Sequence, residues 1–458
     1  MFGFGKKKKQ EASVPYGGIG ENNERMKPFT LRSEEEYEIY IHVPFCVRKC
    51  RYCDFLSMAC DESVREQYVE DLLKEIREYA EFLKAEEKNV SSEPAKSGKG
   101  RESLDATKSG KAPDASGSDK KLYDRPVRSI FVGGGTPTVL SAESLTRILG
   151  QVFESFHVKE DAEITIECNP GTASFEKLAA LRKAGFNRIS IGMQAADDAM
   201  LAKLGRIHTH ADTVECVQAA RKAGFENLSL DLMSALPGQS LEDYMAGVQA
   251  ALDLKPDHIS AYSLIIEPGT EFHKLYGENG PLVSELPDED TDREMYARTR
   301  DLLRENGFER YEISNYAKPG RECIHNMGYW TGYDYLGFGL GASSLWDRTR
   351  YQNVTRLEEY HNQVAAADFG KLHTAVQKLT RKECMEEHMF LGLRMIRGIS
   401  KSEFESKFQV RYETVLGPQT ARLLKQGLIR AEGDTICLTD FGLDVSNRVF
   451  AEFLLDEE

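Results

Sequence analysis

The chain has 458 residues, 41% of them hydrophobic, a composition that is ordinary for a globular protein with one large core and one or two smaller domains. Its formal net charge of −15 argues against a general affinity for nucleic acid phosphates. No apolar run of about 18 residues occurs, and the opening "MFGFGKKKKQ" lacks the apolar region of a secretion signal. We therefore expect a cytoplasmic protein without a stable membrane span, in which Lys6–Lys9 is either a solubilising tail or a peripheral contact with anionic lipid.

The first part of the chain predicts an arm, a strand, a helix and an insertion. Residues 1–36 are polar and Gly-rich without a sustained period and predict a flexible arm. The run "YEIYIHV" (Tyr37–Val43) predicts a buried strand, and apolar residues at helical spacing predict a long helix from Asp61 to about Lys88. Residues 89–121 are rich in Ser, Gly, Lys and Asp and contain no aromatic residue, so they predict a disordered insertion.

Five further apolar runs alternate with helical patterns after the insertion. The runs are "VRSIFVG", "AEITIEC", "NRISIGM", "NLSLDLM" and "DHISAYSLI", and the helices are predicted near 141–156, 174–184, 210–223 and 240–254. With the first strand this gives an α/β fold of six strand-helix units around a parallel sheet, either doubly wound or curled into an incomplete barrel. From about Ala375, helices followed by "QGLIRAEGDTICLTDFG" predict a small winged-helix-like module.

Polar or Gly-containing motifs follow the predicted strands. They include a cysteine loop, "GGGTPT", "ECNP", "MQ" and "LPGQ". Barrels and open parallel sheets both keep their functional sites at the carboxyl ends of the strands, so we expect the chemistry at that edge. The glycines of "VGGGTPT" (Val132–Thr138) predict either a tight turn or a loop that donates backbone N–H groups to a ligand.

Three of the nine cysteines, Cys46, Cys50 and Cys53, share the loop after the first strand in a C-x3-C-x2-C spacing. In a reducing compartment such a cluster more often binds metal or does chemistry than forms disulfides. A structural zinc site usually takes two separated pairs of ligands, and no second CxxC pair occurs here. Three thiolates can instead hold three irons of a [4Fe–4S] cluster and leave the fourth iron open. The cysteine spacing alone does not decide between zinc and an iron–sulfur cluster. The glycine loop favours an iron–sulfur cluster with a bound ligand.

This arrangement resembles the radical S-adenosylmethionine (SAM) enzymes, in which the open iron chelates SAM and one electron from the cluster cleaves it to a radical. A closer resemblance runs from about Tyr37 to the C-terminus. The motifs "YIHVPFCVRKCRYCDF", "FVGGGTPT", "ITIECNPGT", "RISIGMQ", "LGRIH", "LDLMSALPGQ", "YSLIIEPGT" and "CIHNMGYWTGYDYLGFGLGASS" look like the oxygen-independent coproporphyrinogen III oxidase family. The resemblance implies an incomplete (β/α)6 radical SAM barrel over 37–310, a connecting segment over 311–374 and a mostly helical, winged-helix-like domain over 375–458.

Two positions distinguish the branches of that family. The oxidase branch carries a further cysteine two residues after the third cluster cysteine, where this chain has Phe55. The segment "HNMGYW" (His325–Trp330) matches the HNxxYW signature of the haem chaperone branch. The resemblance therefore implies a haem chaperone that delivers haem to apo-haemoproteins. The alternatives are an anaerobic coproporphyrinogen III oxidase and a zinc-stabilised interaction protein, and the latter leaves the SAM-like motifs unexplained.

The resemblance also implies roles for single residues. Cys46, Cys50 and Cys53 match the ligands of the [4Fe–4S] cluster. The residues that match SAM contacts are Tyr40, Gly134, Gly135, Thr136, Glu167, Gln194, Arg206 and Asp231. His325 is expected to ligate haem iron, with Tyr329 and Trp330 stacking on the macrocycle, and the alternative is a hydrogen-bonded packing histidine. The implied partners are haem, recipient apo-haemoproteins and an electron donor, with either a monomer or a homodimer and without nucleic acid.

Overall fold

The computed structural model describes residues 36–92 and 124–455. The Lys6–Lys9 run lies outside the described residues, as do nearly all of the predicted arm and insertion. The first helix continues to Ser92, so the first residues of the predicted insertion, 89–92, are helical. Within the described ranges, no helix is long and apolar enough to cross a membrane.

The described residues form strands and helices that alternate over most of the chain. The strands are β1 Tyr37–Val43, β2 Val127–Gly134, β3 Val158–Cys168, β4 Arg188–Gln194, β5 Asn227–Ser234, β6 His258–Ser263, β7 Glu309–Arg310, β8 Asn315–Ala317, β9 Tyr335–Phe338, β10 Ser343–Trp346, β11 Thr349–Asn353, β12 His373–Lys378, β13 Ile399–Ser400, β14 Ile429–Glu432 and β15 Thr435–Leu438. The helices are α1 Glu62–Ser92, α2 Ala142–Ser155, α3 Phe175–Ala184, α4 Asp198–Leu204, α5 His210–Lys222, α6 Leu241–Asp253, α7 Glu271–Tyr276, α8 Glu289–Glu305, α9 Ile324–Thr331, α10 Leu357–Ala366, α11 Phe369–Leu372, α12 Arg381–Gly392, α13 Lys401–Phe408, α14 Tyr412–Lys425, α15 Asp440–Asp444 and α16 Ser446–Ala451.

One large sheet carries the fold. Strands β1 to β6 lie side by side in chain order, each parallel to the next. A doubly wound sheet reverses its strand order, whereas a barrel keeps it sequential, so the incomplete (β/α)6 barrel is confirmed. Strands β8 and β7 continue the sheet beyond β6, and β9 to β12 continue it beyond β1. The predicted connecting segment 311–374 is therefore part of the barrel sheet, because it supplies strands to both of its ends.

Local sequence explains how the barrel helices begin. Ser141, Ser174, Thr209 and Ser240 each cap the helix that follows with a side-chain oxygen that accepts a backbone N–H. Strand β4 is buried along its whole length, as expected for a parallel strand covered on both faces. Because β1 to β6 are parallel, their carboxyl ends lie at one edge of the sheet, which is called the mouth of the barrel below.

The C-terminal region has its own hydrophobic core, built from residues between Leu379 and Phe453. The order α12, β13, α13, α14, β14, β15, with an antiparallel three-stranded sheet, is that of a winged helix. Strand β12 pairs with β11 in the barrel sheet, so the strand pairing favours a boundary near Leu379 over the predicted Ala375. Arg350 on β11 donates two hydrogen bonds, of 2.8 and 3.0 Å, to the carboxylate of Glu387 on α12 and joins the two regions.

Helix α9 packs closely against strand β1, and Gly328 makes this close packing possible. A Cβ at Gly328 would collide with the carboxyl group of Glu38, a fully buried residue of β1. Gly328→Ala should therefore lower the free energy of unfolding by about 1–3 kcal/mol, measured by urea denaturation. The matched control is Gly150→Ala on α2, where a Cβ meets nothing within 4 Å and helix propensity should add up to about 1 kcal/mol of stability. Equal effects of the two substitutions would contradict this packing.

Candidate functional site

The cysteine loop crosses the mouth of the barrel and is held there by backbone hydrogen bonds. The Cys46 N–H donates to the carbonyl of Met58 at 3.0 Å. Further along the loop, the Arg51 N–H donates to the carbonyl of Leu204 at 3.0 Å, and the Arg51 carbonyl accepts from Phe272 at 3.0 Å. These bonds tie the loop to the segments that follow β4 and β6, so the loop position depends on both sides of the barrel.

The three loop thiols are free and partly buried. Burial raises the pKa of the Cys50 thiol and the pKa of the Cys53 thiol, and the guanidinium of Arg206 partly offsets this for Cys50. Among the described residues, no group of three or more His, Cys, Asp or Glu side chains could hold a single metal ion. A cluster differs from a single ion because each thiolate binds its own iron.

The glycine loop at the end of β2 packs directly against the cysteine loop. A Cβ at Gly135 would lie 2.6 Å from the carbonyl oxygen of Phe45, so a side chain would separate the two loops. Gly134 has a φ of 115°, which few other residues adopt. These two positions need glycine for close approach and for backbone conformation respectively.

Three backbone N–H groups of this loop donate to acceptors within the protein. Gly134 donates to Glu167 Oε2 at 3.0 Å, Gly135 to the Val43 carbonyl at 2.9 Å and Thr136 to the Phe45 carbonyl at 2.7 Å. No ligand is needed to satisfy these three N–H groups, and donation by this loop to a ligand stays a prediction. The N–H groups instead fasten the glycine loop to β1, to the cysteine loop and to β3.

Two partly buried carboxyl groups, Glu167 near the end of β3 and Asp231 within β5, lie close enough for the charge of Asp231 to act on Glu167. Burial, together with the nearby Asp231, raises the pKa of Glu167 to about 8. Burial also raises the pKa of Asp231, whose Oδ1 accepts from the Ser190 hydroxyl at 3.1 Å. A pair of carboxyls in this setting is suited to a cationic ligand, because a positive charge would favour the ionised form of each.

Arg206, which follows α4, reaches across the mouth to two side chains. Its Nη1 donates to Asn169 Oδ1 at 2.8 Å and its Nη2 donates to the Tyr52 hydroxyl at 2.8 Å. Its Nε is buried and has no hydrogen-bond partner among the described residues. Gly192 leaves room for this arrangement, since a Cβ there would lie 2.9 Å from Asn169 Oδ1 and 3.4 Å from Arg206 Nη2.

Gln194 and Tyr40 complete the set of predicted SAM contacts. Gln194 ends β4 with a φ of 65°, and its Oε1 accepts from the Tyr262 hydroxyl at 3.0 Å. The Tyr40 hydroxyl lies 3.0 Å from His42 Nδ1. His42 Nε2 lies 2.9 Å from the carbonyl of Leu56, which can only accept, so Nε2 carries the proton and Nδ1 accepts from Tyr40.

Four residues that contact the predicted SAM-binding residues were not predicted from the sequence: Asn169, Tyr52, Gly192 and Tyr262. Asn169 lies inside the quoted motif "ECNP" and Tyr52 lies between two of the cysteines, so only their contacts distinguish them from ordinary loop residues. Gly192 had a usable signal, because a glycine inside a strand often marks a close approach of another group.

His325 lies in the first turn of helix α9, with 6.4 Å between its ring centroid and that of Tyr40. It is 1% exposed, and its ring stacks on Phe131 with 5.2 Å between the ring centroids. Its Nδ1 lies 2.9 Å from the Ser129 hydroxyl and its Nε2 lies 2.9 Å from the Tyr329 hydroxyl. Burial lowers the pKa of His325 to about 3, so the ring is neutral. Because both ring nitrogens are engaged, iron coordination at Nε2 requires displacement of the Tyr329 hydroxyl, and a haem-ligand role stays a prediction.

Comparisons with known proteins agree with this arrangement. Residues 120–249 match the Radical SAM superfamily, and residues 379–445 match the HemN C-terminal domain. Heme chaperone HemW of Lactococcus lactis subsp. lactis (strain IL1403) is 35% identical over 418 residues, which are 91% of this chain and 97% of that protein. Heme chaperone HemW of Bacillus subtilis (strain 168) is 36% identical over 416 residues, which are 91% and 98% of the two chains. The chain belongs to the heme chaperone HemW family.

A solved structure of a relative confirms the fold. Coproporphyrinogen III oxidase (HemN) from Escherichia coli, described as a radical SAM enzyme, matches with a TM-score of 0.74 over 92% of this chain and 91% of that chain, at 22% identity. Likeness at this level of identity concerns the fold alone. The distinction between the HemW family and this oxidase therefore rests on the sequence relatives.

Membership of the Radical SAM superfamily implies a [4Fe–4S] cluster and SAM, and the residues at the mouth fit both groups. Three thiols share one loop, and Gly135 keeps side-chain atoms out of the contact between that loop and β2. The buried Nε of Arg206 can donate a hydrogen bond to a carboxylate of the ligand. The carboxyl group of Glu167 can pair with a cationic group of the ligand. Phe55, at the position of the further cysteine of the oxidase branch, is 67% exposed.

The raised pKa of Glu167 predicts a pH dependence of SAM binding. Below about pH 8 this carboxyl is mostly protonated in the free protein, and a cationic ligand favours the ionised form. The affinity for SAM should therefore rise as pH increases, by up to about tenfold per unit, and level off above pH 8. Isothermal titration calorimetry on anaerobically reconstituted protein measures this dependence.

Glu167→Gln should remove this rise with pH, whereas Glu160→Gln, at an exposed position of the same strand, should retain it. A pH-independent affinity in the unsubstituted protein, or the same rise in Glu167→Gln, would show that Glu167 does not bind the cationic group.

Proposed function

We propose that this protein is a haem chaperone that binds haem and delivers it to apo-haemoproteins, with a [4Fe–4S] cluster and SAM at the mouth of its barrel. The observation that carries the proposal is the identity of 35% to a protein named heme chaperone over 97% of that relative's length. The exposed Phe55 and the HNxxYW segment support it, since both separate the chain from the oxidase branch.

Cys46, Cys50 and Cys53 are proposed to hold the cluster through three irons. When bound, the cluster supplies one-electron chemistry at SAM, and an electron donor has to reduce it. Arg206 would pair with the SAM carboxylate, because a guanidinium and a carboxylate form strong, charge-assisted hydrogen bonds. Glu167 would bind a cationic group of SAM. The further residues proposed to line the SAM site are Tyr40, Gly134, Gly135, Thr136, Gln194 and Asp231.

The second candidate function is oxygen-independent oxidation of coproporphyrinogen III by radical decarboxylation. The observation in its favour is the fold shared with the Escherichia coli oxidase. Phe55 weakens this candidate, because its side chain cannot replace a thiol as a ligand or redox group. We therefore rank the oxidase second.

Haem, recipient apo-haemoproteins and an electron donor are the proposed partners. A cytoplasmic location, with Lys6–Lys9 in contact with anionic lipid, belongs to the same proposal. His325 is proposed as a haem ligand that becomes accessible when Tyr329 leaves its Nε2. On this view, haem binding would be coupled to a rearrangement of the start of helix α9.

One set of assays separates the two candidate functions. The reconstituted protein, given haem, should bind about one equivalent per chain and pass it to apomyoglobin, followed by absorption of the haem band. Given coproporphyrinogen III, SAM and reductant, it should yield no decarboxylated porphyrinogen by chromatography. Decarboxylated product would make the protein an oxidase, and failure to bind haem would remove the chaperone function.

Two variants test the proposed haem ligand within these assays. His325→Ala should weaken haem binding at least tenfold, whereas Tyr329→Phe should preserve or strengthen it because Nε2 loses its hydroxyl partner. Unchanged haem binding in His325→Ala would exclude His325 as the ligand and leave its packing role.

A further inference from the structure

A continuous series of hydrogen bonds leads from Arg206 to the first cysteine of the loop. Arg206 Nη1 donates to Asn169 Oδ1 at 2.8 Å, and Asn169 Nδ2 donates to Thr136 Oγ1 at 2.7 Å. Thr136 Oγ1 in turn donates to Cys46 Sγ at 3.5 Å. The four residues belong to four different segments: the segment after α4, the end of β3, the end of β2 and the cysteine loop.

The chemistry of the groups fixes the direction of these bonds. A guanidinium has only donors, so the Asn169 atom that it contacts has to be the carbonyl oxygen. The amide nitrogen of Asn169 then has to face Thr136, whose hydroxyl oxygen accepts from it. The hydroxyl proton of Thr136 is therefore left to donate to the sulfur of Cys46. No rotation of the amide group satisfies these contacts equally well.

A second arm returns from Arg206 to the same loop. Arg206 Nη2 donates to the hydroxyl of Tyr52, which lies between Cys50 and Cys53. The ring of Tyr52 packs on Phe272 with 6.2 Å between the ring centroids, so the acceptor is held by the segment after β6. The bonds to Asn169 and to Tyr52 hold the guanidinium in one orientation. Both series of bonds lead from Arg206 to the cysteine loop, one to Cys46 and the other to Tyr52.

We propose that Asn169 and Tyr52 are positioning residues that direct the Thr136 hydroxyl onto the Cys46 sulfur and thereby tune the reduction potential of the cluster. This inference rests on the proposed [4Fe–4S] cluster. Reduction adds negative charge to the cluster, and a hydrogen bond to a ligand sulfur stabilises that charge. Polarisation along the series strengthens the last bond, because the first donor is a cation. The hydroxyl therefore raises the midpoint potential.

The test measures the midpoint potential of the reconstituted cluster by a redox titration followed by electron paramagnetic resonance, without substrate. Thr136→Val removes the hydroxyl at nearly constant volume and should shift the potential to a more negative value. Thr136→Ser restores the donor and should restore the potential. The control is Thr138→Val in the same loop, whose hydroxyl lies 2.6 Å from that of Thr172, and this variant should keep the original potential.

Asn169→Asp tests the direction of the bonds. A carboxylate only accepts, so the Thr136 hydroxyl would donate to the introduced carboxylate and no longer to Cys46, and the potential should again become more negative. In that background Thr136→Val should produce no further shift. Equal shifts from Thr136→Val in both backgrounds would overturn the role of Asn169, and an unchanged potential in Thr136→Val would overturn the inference as a whole.

Two further outcomes keep the inference separate from the proposed function. If Thr136→Val assembles no cluster, the midpoint potentials of Asn169→Asp and Thr136→Ser test the inference in its place. An unchanged potential in Asn169→Asp then contradicts the inference. If the unsubstituted protein itself assembles no iron–sulfur cluster, the proposed cofactor is wrong. Cluster assembly with unchanged potentials in all variants contradicts only the tuning role.

Discussion

The position of the cysteine loop is the constraint on which the rest of the site depends. Three thiols can bind one cluster only if their loop is held in a defined shape, and a loop of this length has no regular secondary structure of its own to hold it. Backbone hydrogen bonds at Cys46 and Arg51 fix the loop to neighbouring segments. Gly135 allows the glycine loop to pack against it, and the side chain of Arg206 spans the mouth to reach Tyr52.

The alternation of apolar strands and helices predicted a parallel sheet, and the polar residues after the strands predicted the edge that carries the site. The family resemblance, and not the alternation, selected the barrel over a doubly wound sheet. The sequence did not predict which groups meet across the mouth. Asn169 and Tyr52 depend on contacts between segments far apart in the chain, and the N–H groups of Gly134 and Gly135 found acceptors that no local pattern reveals. Helix α4 was missed since its seven residues are too few for a clear period.

The mouth and helix α9 carry different kinds of groups, although only 6.4 Å separates the ring centroids of Tyr40 and His325. The mouth combines the thiols with Glu167, Asp231 and Arg206, which suit a charged cofactor. Helix α9 carries His325 as a neutral ring with both nitrogens hydrogen-bonded. If His325 ligates haem as proposed, exchange of its hydroxyl partner for iron would make haem binding reversible, as a chaperone requires.

The most direct test of the account is the metal content of the anaerobically reconstituted protein, measured together with its electron paramagnetic resonance spectrum before and after addition of SAM. A [4Fe–4S] cluster that binds SAM should give about four irons per chain, a spectrum that changes with SAM, and loss of iron when Cys46, Cys50 or Cys53 is replaced by Ala. Cys60→Ala, seven residues beyond Cys53, should keep the cluster. One zinc without iron, or a reduced cluster whose spectrum ignores SAM, would contradict the account.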